Sequence, residues 1–237
     1  MTRREVVMEA LQFRRPPYVP WAWDMTQDCA ERLKAHLGAG SLTEFVGSHF
    51  LDLASHIGRF DRLDEDRYRD VYGVVWDRSV DKDIGTPIDW PIRRPEDLDG
   101  YTWPDPADDS WYAGIAERMA ANRDLFTRFP IGFSLYERAW TMRGMTELLI
   151  DMVERPEFVE KLMDRIVEHN LVQVRRAISF DVDCVHFGDD YGMQSGLIMG
   201  AEHWRHFIKP RLARMFEPAS IASRIVAISP ALANWRL

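Results

Sequence analysis

Two short apolar runs separated by a long helical segment most constrain the fold of this chain. The runs are FPIGFSL and VDCVHFG, and residues 138–180 between them place apolar side chains at helical spacing, with a break at Pro156. A strand that is apolar on both faces is typical of a parallel sheet, and a long helix is the connection that parallel strands require. The pattern predicts an α/β fold with parallel strands, arranged either as a barrel or as a doubly wound sheet.

The N-terminal segments follow the same alternation of helix and strand. Residues 2–13 predict an amphipathic helix that begins with a capping box from Thr2. The apolar run at 18–25 (YVPWAWDM) predicts a short buried strand, and residues 26–38 predict a second helix that ends at Gly38. These segments together predict one further βα unit.

The middle and the end of the chain differ from this pattern. Residues 60–106 lose helical periodicity and become rich in proline, which predicts a long surface excursion with a strand or hairpin at DVYGVVWDRSV. Residues 201–216 predict a helix that bends at Pro210. The run IVAIS after it is a candidate for one more strand.

Composition excludes several classes of protein. The chain has 237 residues, 46% hydrophobic content and a formal net charge of -8, with charges in mixed order. No basic run predicts a nucleic-acid or membrane-surface partner, and small-molecule chemistry is favoured. Cys29 and Cys184 encode no disulfide framework. Signal-peptide and membrane-spanning patterns are absent, so we expect a cytoplasmic protein without a membrane partner.

Polar clusters that follow apolar runs are the first candidates for a functional site. In parallel α/β folds, the loops after the carboxyl ends of the strands gather around one cavity. The stretches WAWDM, IGFSLYERAW and HFGDDYGMQSGLIMG have this placement. Their candidate substrate-binding residues are Trp23, Asp24, Arg138, Trp140 and Gln194, and their candidate catalytic residues are Asp189, Asp190 and Tyr191.

Each candidate also has an ordinary structural explanation. Asp189 or Asp190 can bind substrate or a metal or act as an acid or base, and either can instead cap a helix. Arg138 can pair with an anionic group of a substrate, or with Glu137 at the start of a helix. Trp140 fits core packing as well as stacking on a ligand.

The histidines and cysteines do not predict a metal site. His203 and His206 lie three residues apart on one predicted helix, where solvated or capping roles are the simpler explanation. Cys184 and His186 alternate along one predicted strand without a third ligand. P-loop, GxGxxG and GxSxG motifs are absent, which removes the main support for nucleotide binding and for serine hydrolysis.

Three stretches together resemble the uroporphyrinogen decarboxylase superfamily, especially its divergent bacterial branch related to corrinoid-dependent methyltransferases. They are RRPPYVPWAW, FPIGFSLYERAWTMRGMTELLIDMVERPEFVEKLMDRI and FGDDYGMQSGLIMGAEHWRHFIKPRL, and the likeness extends over about 2–216. The resemblance implies a TIM-like (β/α)₈ barrel with its cleft at the carboxyl ends of the strands.

The sequence departs from the decarboxylases where they bind their acidic tetrapyrrole. Asp24, Met25 and Thr26 stand where the first arginine of those enzymes would lie, and Met145 stands at the active-site tyrosine. Carboxylates of a substrate would be left unpaired without cationic partners. We therefore expect an enzyme that acts on a small organic or methylated substrate and is methyltransferase-like. Uroporphyrinogen decarboxylation, a lyase reaction of porphyrin biosynthesis, stays as the alternative.

The sequence also departs from the methyltransferase branch. The resemblance implies a zinc site built from a His-x-Cys element and a later cysteine, yet the matching stretch RIVAISPALANWRL has neither residue type. We expect no cofactor in this chain, with zinc and a corrinoid partner protein belonging to a full-length relative.

The predicted domain is a partial barrel over 1–216, roughly the first half, and 217–237 is an atypical tail from truncation or a frameshift. An inactive binding or assembly module that self-associates, for example as a homodimer, is a further alternative.

Overall fold

The computed structural model describes residues 1–23, 25–38, 45–53 and 59–228. These residues form both helices and strands. The strands in chain order are β1 (Phe50–Asp52), β2 (Phe60–Arg62), β3 (Arg67–Asp70), β4 (Val75–Asp77), β5 (Thr86–Asp89), β6 (Phe126–Ile131), β7 (Cys184–Phe187), β8 (Gly192–Met193), β9 (Gly196–Leu197) and β10 (Ile225–Ile228). The α-helices are α1 (Arg3–Leu11), α2 (Gln27–Leu37), α3 (Asp97–Gly100), α4 (Ile115–Ala121), α5 (Tyr136–Arg143), α6 (Met145–Glu154), α7 (Pro156–Ser179), α8 (Gly200–His203) and α9 (Lys209–Ile221). A 3₁₀ turn covers Asp109–Tyr112, and a π-helical segment covers Trp204–Ile208.

The central sheet is parallel, as the sequence predicts. Its order is β1-β6-β7-β10, so its strands are adjacent in the order in which they occur in the chain. All three pairings are parallel, and helices connect β6 to β7 and β7 to β10. This is the arrangement of consecutive strands in a (β/α) barrel. The candidate strand in IVAIS is present as β10, and the predicted boundary at residue 216 falls inside α9.

The apolar runs form the core because both faces of their strands are covered. Phe129 and Ile131 of β6 and Val185 and Phe187 of β7 are buried. The long helix α7 covers them with apolar residues at helical spacing, which are Val159, Leu162, Met163, Ile166, Val167 and Val174. Pro156 occupies the first turn of α7, where its missing N–H costs no helical hydrogen bond.

The N-terminal helix is confirmed, whereas the strand predicted after it is wrong. Thr2 and Glu5 form the capping box of α1, with Thr2 Oγ1 accepting from the Glu5 amide at 3.2 Å. Within 18–25 the described residues lie outside any strand, and the Trp21 carbonyl accepts a backbone hydrogen bond from His49. Pro20 in this segment removes a donor that a strand would need.

The excursion after β1 contains a second sheet that the sequence only partly predicts. Strands β2 to β5 form an antiparallel sheet in chain order, and DVYGVVWDRSV supplies the turn between β3 and β4. Asp70 holds this turn by accepting from the amides of Tyr72 and Val74 and from the indole N–H of Trp76. Since the excursion leaves the carboxyl end of β1, it is attached to the same edge of the parallel sheet that carries the candidate site.

His169 fixes part of this excursion to α7 and makes stability depend on pH. Its Nε2 lies 3.2 Å from the Pro104 carbonyl, and its Nδ1 lies 3.2 Å from Gln173 Nε2. Burial lowers the His169 pKa from 6.5 to about 4, so the folded state disfavours the protonated ring.

The free energy of unfolding should therefore fall as the pH is lowered. The reason is that His169 takes up a proton in the unfolded chain at a higher pH than in the folded protein. Stability from this group is complete above pH 6.5, and about 3 kcal/mol is lost as pH falls from there to about 4. Urea unfolding of wild type and His169→Gln across this range tests the expectation. The variant should lack the extra slope, and His36→Gln, which changes an exposed ring on α2, should keep it. Equal slopes in wild type and His169→Gln would contradict it.

Within the described part of the chain, no helix is long and apolar enough to span a membrane.

Candidate functional site at the carboxyl edge of the sheet

The carboxyl ends of β6 and β7 bring two of the predicted polar clusters together. Ile131 pairs with Phe187 at the ends of the strands, and the Ser134 amide then donates to the Gly188 carbonyl at 2.8 Å. A Cβ at Gly188 would lie 3.5 Å from the Gly132 Cα, which is an ordinary contact distance, so the two loops are adjacent at this point. The loop after β7 therefore packs directly against the start of α5.

Asp189 lies at the centre of this contact and caps α5 from outside the helix. Its side chain is buried, and Oδ2 accepts from the amides of Leu135 and Tyr136, both at 2.9 Å, while Oδ1 accepts from the Glu137 amide at 2.7 Å. The Tyr191 hydroxyl donates to Oδ2 at 2.8 Å. Burial raises the Asp189 pKa to about 6 and these donors oppose the rise, so the carboxylate is ionised at neutral pH.

The other candidates in this loop differ in exposure. Tyr191 is buried, and burial together with the Asp189 charge raises the pKa of its hydroxyl well above the usual value. Asp190 is exposed, and Gln194 is exposed in the turn between β8 and β9. Of the predicted site residues in this loop, Asp190 and Gln194 are therefore the ones that a solute can reach.

Glu137 is a site residue to which the sequence prediction gave no role of its own. It occupies the first turn of α5 and is partly buried. Burial, followed by the nearby charges of Asp189 and Asp190, raises its pKa to about 8. Its carboxyl group is therefore protonated at neutral pH, next to an ionised one. Two carboxyl groups with separated pKa values are typical of acid–base sites.

Arg138 and Trp140 point away from this carboxyl cluster into packed regions. The Arg138 guanidinium pairs with Asp70 at 3.0 Å and lies 3.7 Å from the centroid of the Tyr72 ring, and the side chain is 3% exposed. Trp140 packs against the main hydrophobic core. The anionic partner that the structure gives Arg138 is thus Asp70, from the excursion sheet, rather than Glu137.

Trp23 lies in another part of the molecule from the carboxyl cluster. It is 68% exposed and lines an open apolar groove of about 1030 Å³ along α2, together with Trp21, Leu33 and Phe45. Asp24 lies outside the described residues. Of the predicted site residues, the three catalytic candidates Asp189, Asp190 and Tyr191 therefore lie close to Glu137.

Comparison with known proteins identifies the family. The profile of the family described as uroporphyrinogen decarboxylase (URO-D) matches residues 79–228, which include the carboxyl cluster. The chain belongs to the uroporphyrinogen decarboxylase family. A search of curated proteins finds no match. The family resemblance predicted from the sequence is confirmed.

The solved structures extend the likeness of this URO-D family chain. It is similar to a structure described as "methyltransferase from Methanosarcina mazei", with a TM-score of 0.64 and 14% sequence identity. The match covers 96% of this chain and 69% of the methyltransferase chain. At this identity the likeness concerns the fold, and it confirms the prediction of a TIM-like barrel with parallel strands.

The zinc site that the resemblance implies does not fit the residues described. Among them, no three His, Cys, Asp or Glu side chains are grouped to hold a metal ion. Strand β10, at the place of the His-x-Cys element, is entirely aliphatic. His206 Nε2 instead contacts Glu160, and His203 Nδ1 contacts the Met199 carbonyl.

Proposed function

We propose that this URO-D family barrel transfers a methyl group from a small methylated substrate, and that Glu137 is the proton donor. The arrangement that carries the proposal is Glu137 at the carboxyl edge of the parallel sheet, where its amide donates to the buried Asp189 at 2.7 Å and where burial beside two aspartates raises its pKa to about 8. Removing a methyl group from an oxygen or nitrogen leaves a basic atom behind. An acid with a pKa near the working pH is suited to protonate that atom.

In the proposed step, the bond between the methyl carbon and the oxygen or nitrogen of the substrate breaks. The electron pair of this bond stays on the oxygen or nitrogen. That atom takes the proton of Glu137, and the methyl carbon bonds to a nucleophile that arrives as a second substrate. A thiolate or a reduced corrinoid on a partner protein has the required chemistry. Glu137 is left ionised and regains a proton from solvent.

The charges around Glu137 favour a neutral or cationic substrate. Asp189 and Asp190 are the carboxyl groups that act on it most strongly, and the nearby Arg138 is held by Asp70. A tetrapyrrole with several carboxylates would meet these groups without a free cationic partner, which is unfavourable. Asp190 and Gln194 are exposed and would contact the substrate, whereas Trp23 lines a separate groove and Trp140 packs against the core.

A product assay tests the proposed function. The protein is incubated with methoxylated, methylamino and methylthio compounds in the presence of a thiol or of reduced cobalamin, and the demethylated substrate and methylated acceptor are quantified together by mass spectrometry. We expect both products in equal amounts from wild type, and on the order of 10²- to 10⁴-fold less of each from Glu137→Gln. Conversion of uroporphyrinogen to coproporphyrinogen with no methyl transfer would contradict the proposal in favour of decarboxylation.

A further inference from the structure

We infer that Asp189 is a positioning residue that acts through Glu137, rather than a group that meets the substrate. The inference rests on the proposed role of Glu137 as proton donor. Asp189 is 1% exposed, and both of its carboxylate oxygens are already occupied by donors from the start of α5. A buried carboxylate in this setting is out of reach of a substrate, and its oxygens already accept bonds from the protein.

The bond from the Glu137 amide to Asp189 Oδ1 fixes the backbone of the proton donor directly. At 2.7 Å it is the shortest of the bonds that Asp189 accepts from α5. It also crosses between two loops, because Asp189 follows β7 and Glu137 follows β6. The position of the Glu137 carboxyl is therefore set relative to β7, the strand whose loop carries Asp190 and Gln194.

The turn before Glu137 needs such an external anchor. Phe133 adopts a left-handed backbone with φ of 47°, which is unfavourable for a bulky residue. Leu135, at the N-cap of α5, cannot cap the helix with its own side chain and makes no such bond. Asp189 replaces the missing cap, and Ser134 Oγ at 3.4 Å and the Tyr191 hydroxyl surround the same carboxylate.

The buried charge of Asp189 has a second effect on Glu137. After burial, it is the largest cause of the raised Glu137 pKa, followed by Asp190. Asp189 thus holds the proton donor in place and also keeps it protonated. The Asp190 charge contributes to the second effect, whereas the amides at the start of α5 donate to Asp189. The Asp190 backbone amide also hydrogen-bonds the Glu137 carboxyl and opposes the rise in pKa, and Asp190→Asn leaves that bond in place.

Neutralising each aspartate separately distinguishes the two effects. Asp189→Asn and Asp190→Asn are compared by ¹³C NMR titration of labelled glutamate carboxyls and by kcat and KM for methyl transfer. Both variants should lower the Glu137 pKa. In addition, Asp189→Asn should lower kcat by about 100-fold, because a proton donor misplaced by about 1 Å reacts poorly. Its KM should change little.

A milder variant covers the case in which Asp189→Asn fails to fold. Tyr191→Phe keeps the ring and the Asp189 charge but removes one donor, so we expect kcat to fall about tenfold while Glu137 still titrates well above the ordinary range.

The titration needs no substrate, so it separates this inference from the proposed function. If wild type shows no methyl transfer but Asp189→Asn lowers the Glu137 pKa and Tyr191→Phe does not, the coupling of Asp189 to Glu137 stands and the proposed function fails. If wild type transfers methyl groups and Asp189→Asn leaves both kcat and the Glu137 titration unchanged, the inference is overturned and the proposed function stands.

Discussion

Replacing Glu137 by glutamine is expected to lower methyl transfer by a factor on the order of 10² to 10⁴, the usual contribution of a general acid. Glutamine has nearly the same shape but no acidic proton, so substrate binding should be retained. Steady-state kinetics at neutral pH measure the loss. Glu157→Gln makes the same chemical change at an exposed position on α7 and serves as the control, which should keep wild-type activity.

The same variant should be more stable than wild type in alkaline solution. The folded state raises the Glu137 pKa from 4.5 to about 8, so the stability that the protonated group contributes is complete below pH 4.5 and is lost as pH rises through about 8. Glutamine has no ionised form to bury. Allowing for its partial exposure, we expect a gain on the order of 2 kcal/mol above pH 8 and almost none at pH 4.5.

The loss of activity and the gain in alkaline stability would together show that ionised Glu137 destabilises the folded protein, and that its acidic proton is needed for methyl transfer. Urea unfolding at several pH values measures the gain, and Glu157→Gln should follow the wild-type curve. An active Glu137→Gln variant, or one whose stability tracks wild type at every pH, would contradict the role assigned to Glu137.

Replacing Arg138 by methionine should destabilise the protein by about 3–5 kcal/mol, the usual effect of breaking a buried ion pair from one side. The change leaves the buried Asp70 carboxylate without its 3.0 Å guanidinium partner, and it removes the stacking on Tyr72. Equilibrium unfolding in urea measures the loss.

An exposed ion pair on the same sheet provides the control. Arg67 pairs with Asp64, and their side chains are 58% and 41% exposed. Arg67→Met should therefore cost less than about 1 kcal/mol. Similar losses from the two substitutions would show that the Arg138–Asp70 pair does not anchor the excursion sheet to α5. A rise in KM for Arg138→Met without loss of stability would instead support the predicted pairing of Arg138 with a substrate anion.

The parts of the fold that the sequence predicts are those set by local pattern. The runs at β6 and β7 are apolar on both faces, and α7 between them keeps its helical spacing over its whole length, so a parallel arrangement follows from them alone. Thr2 and Glu5 similarly predict the start of α1 from their spacing. These features depend on neighbours in sequence, which periodicity and capping rules describe well.

The parts that the sequence does not predict depend on contacts between distant segments. The loop with Asp189 and Asp190 is correctly placed after a strand, but only the structure shows that Asp189 points at the start of α5. The raised Glu137 pKa arises from that contact, so Glu137 looks like an ordinary helix-start residue in the sequence. Arg138 likewise finds Asp70 across the excursion, far along the chain. The useful signal in the sequence is the position of Glu137 just beyond a buried strand, next to the candidate Arg138.

The most direct test of the central claim is the titration of the Glu137 carboxyl group in the unmodified protein. The ¹³C signals of labelled glutamate carboxyls are followed with pH in wild type, and the signal absent from Glu137→Gln is assigned to Glu137. The structure predicts that this signal titrates near pH 8, far above the ordinary value of 4.5. A Glu137 signal that titrates in the ordinary range would contradict its assignment as the proton donor of the site.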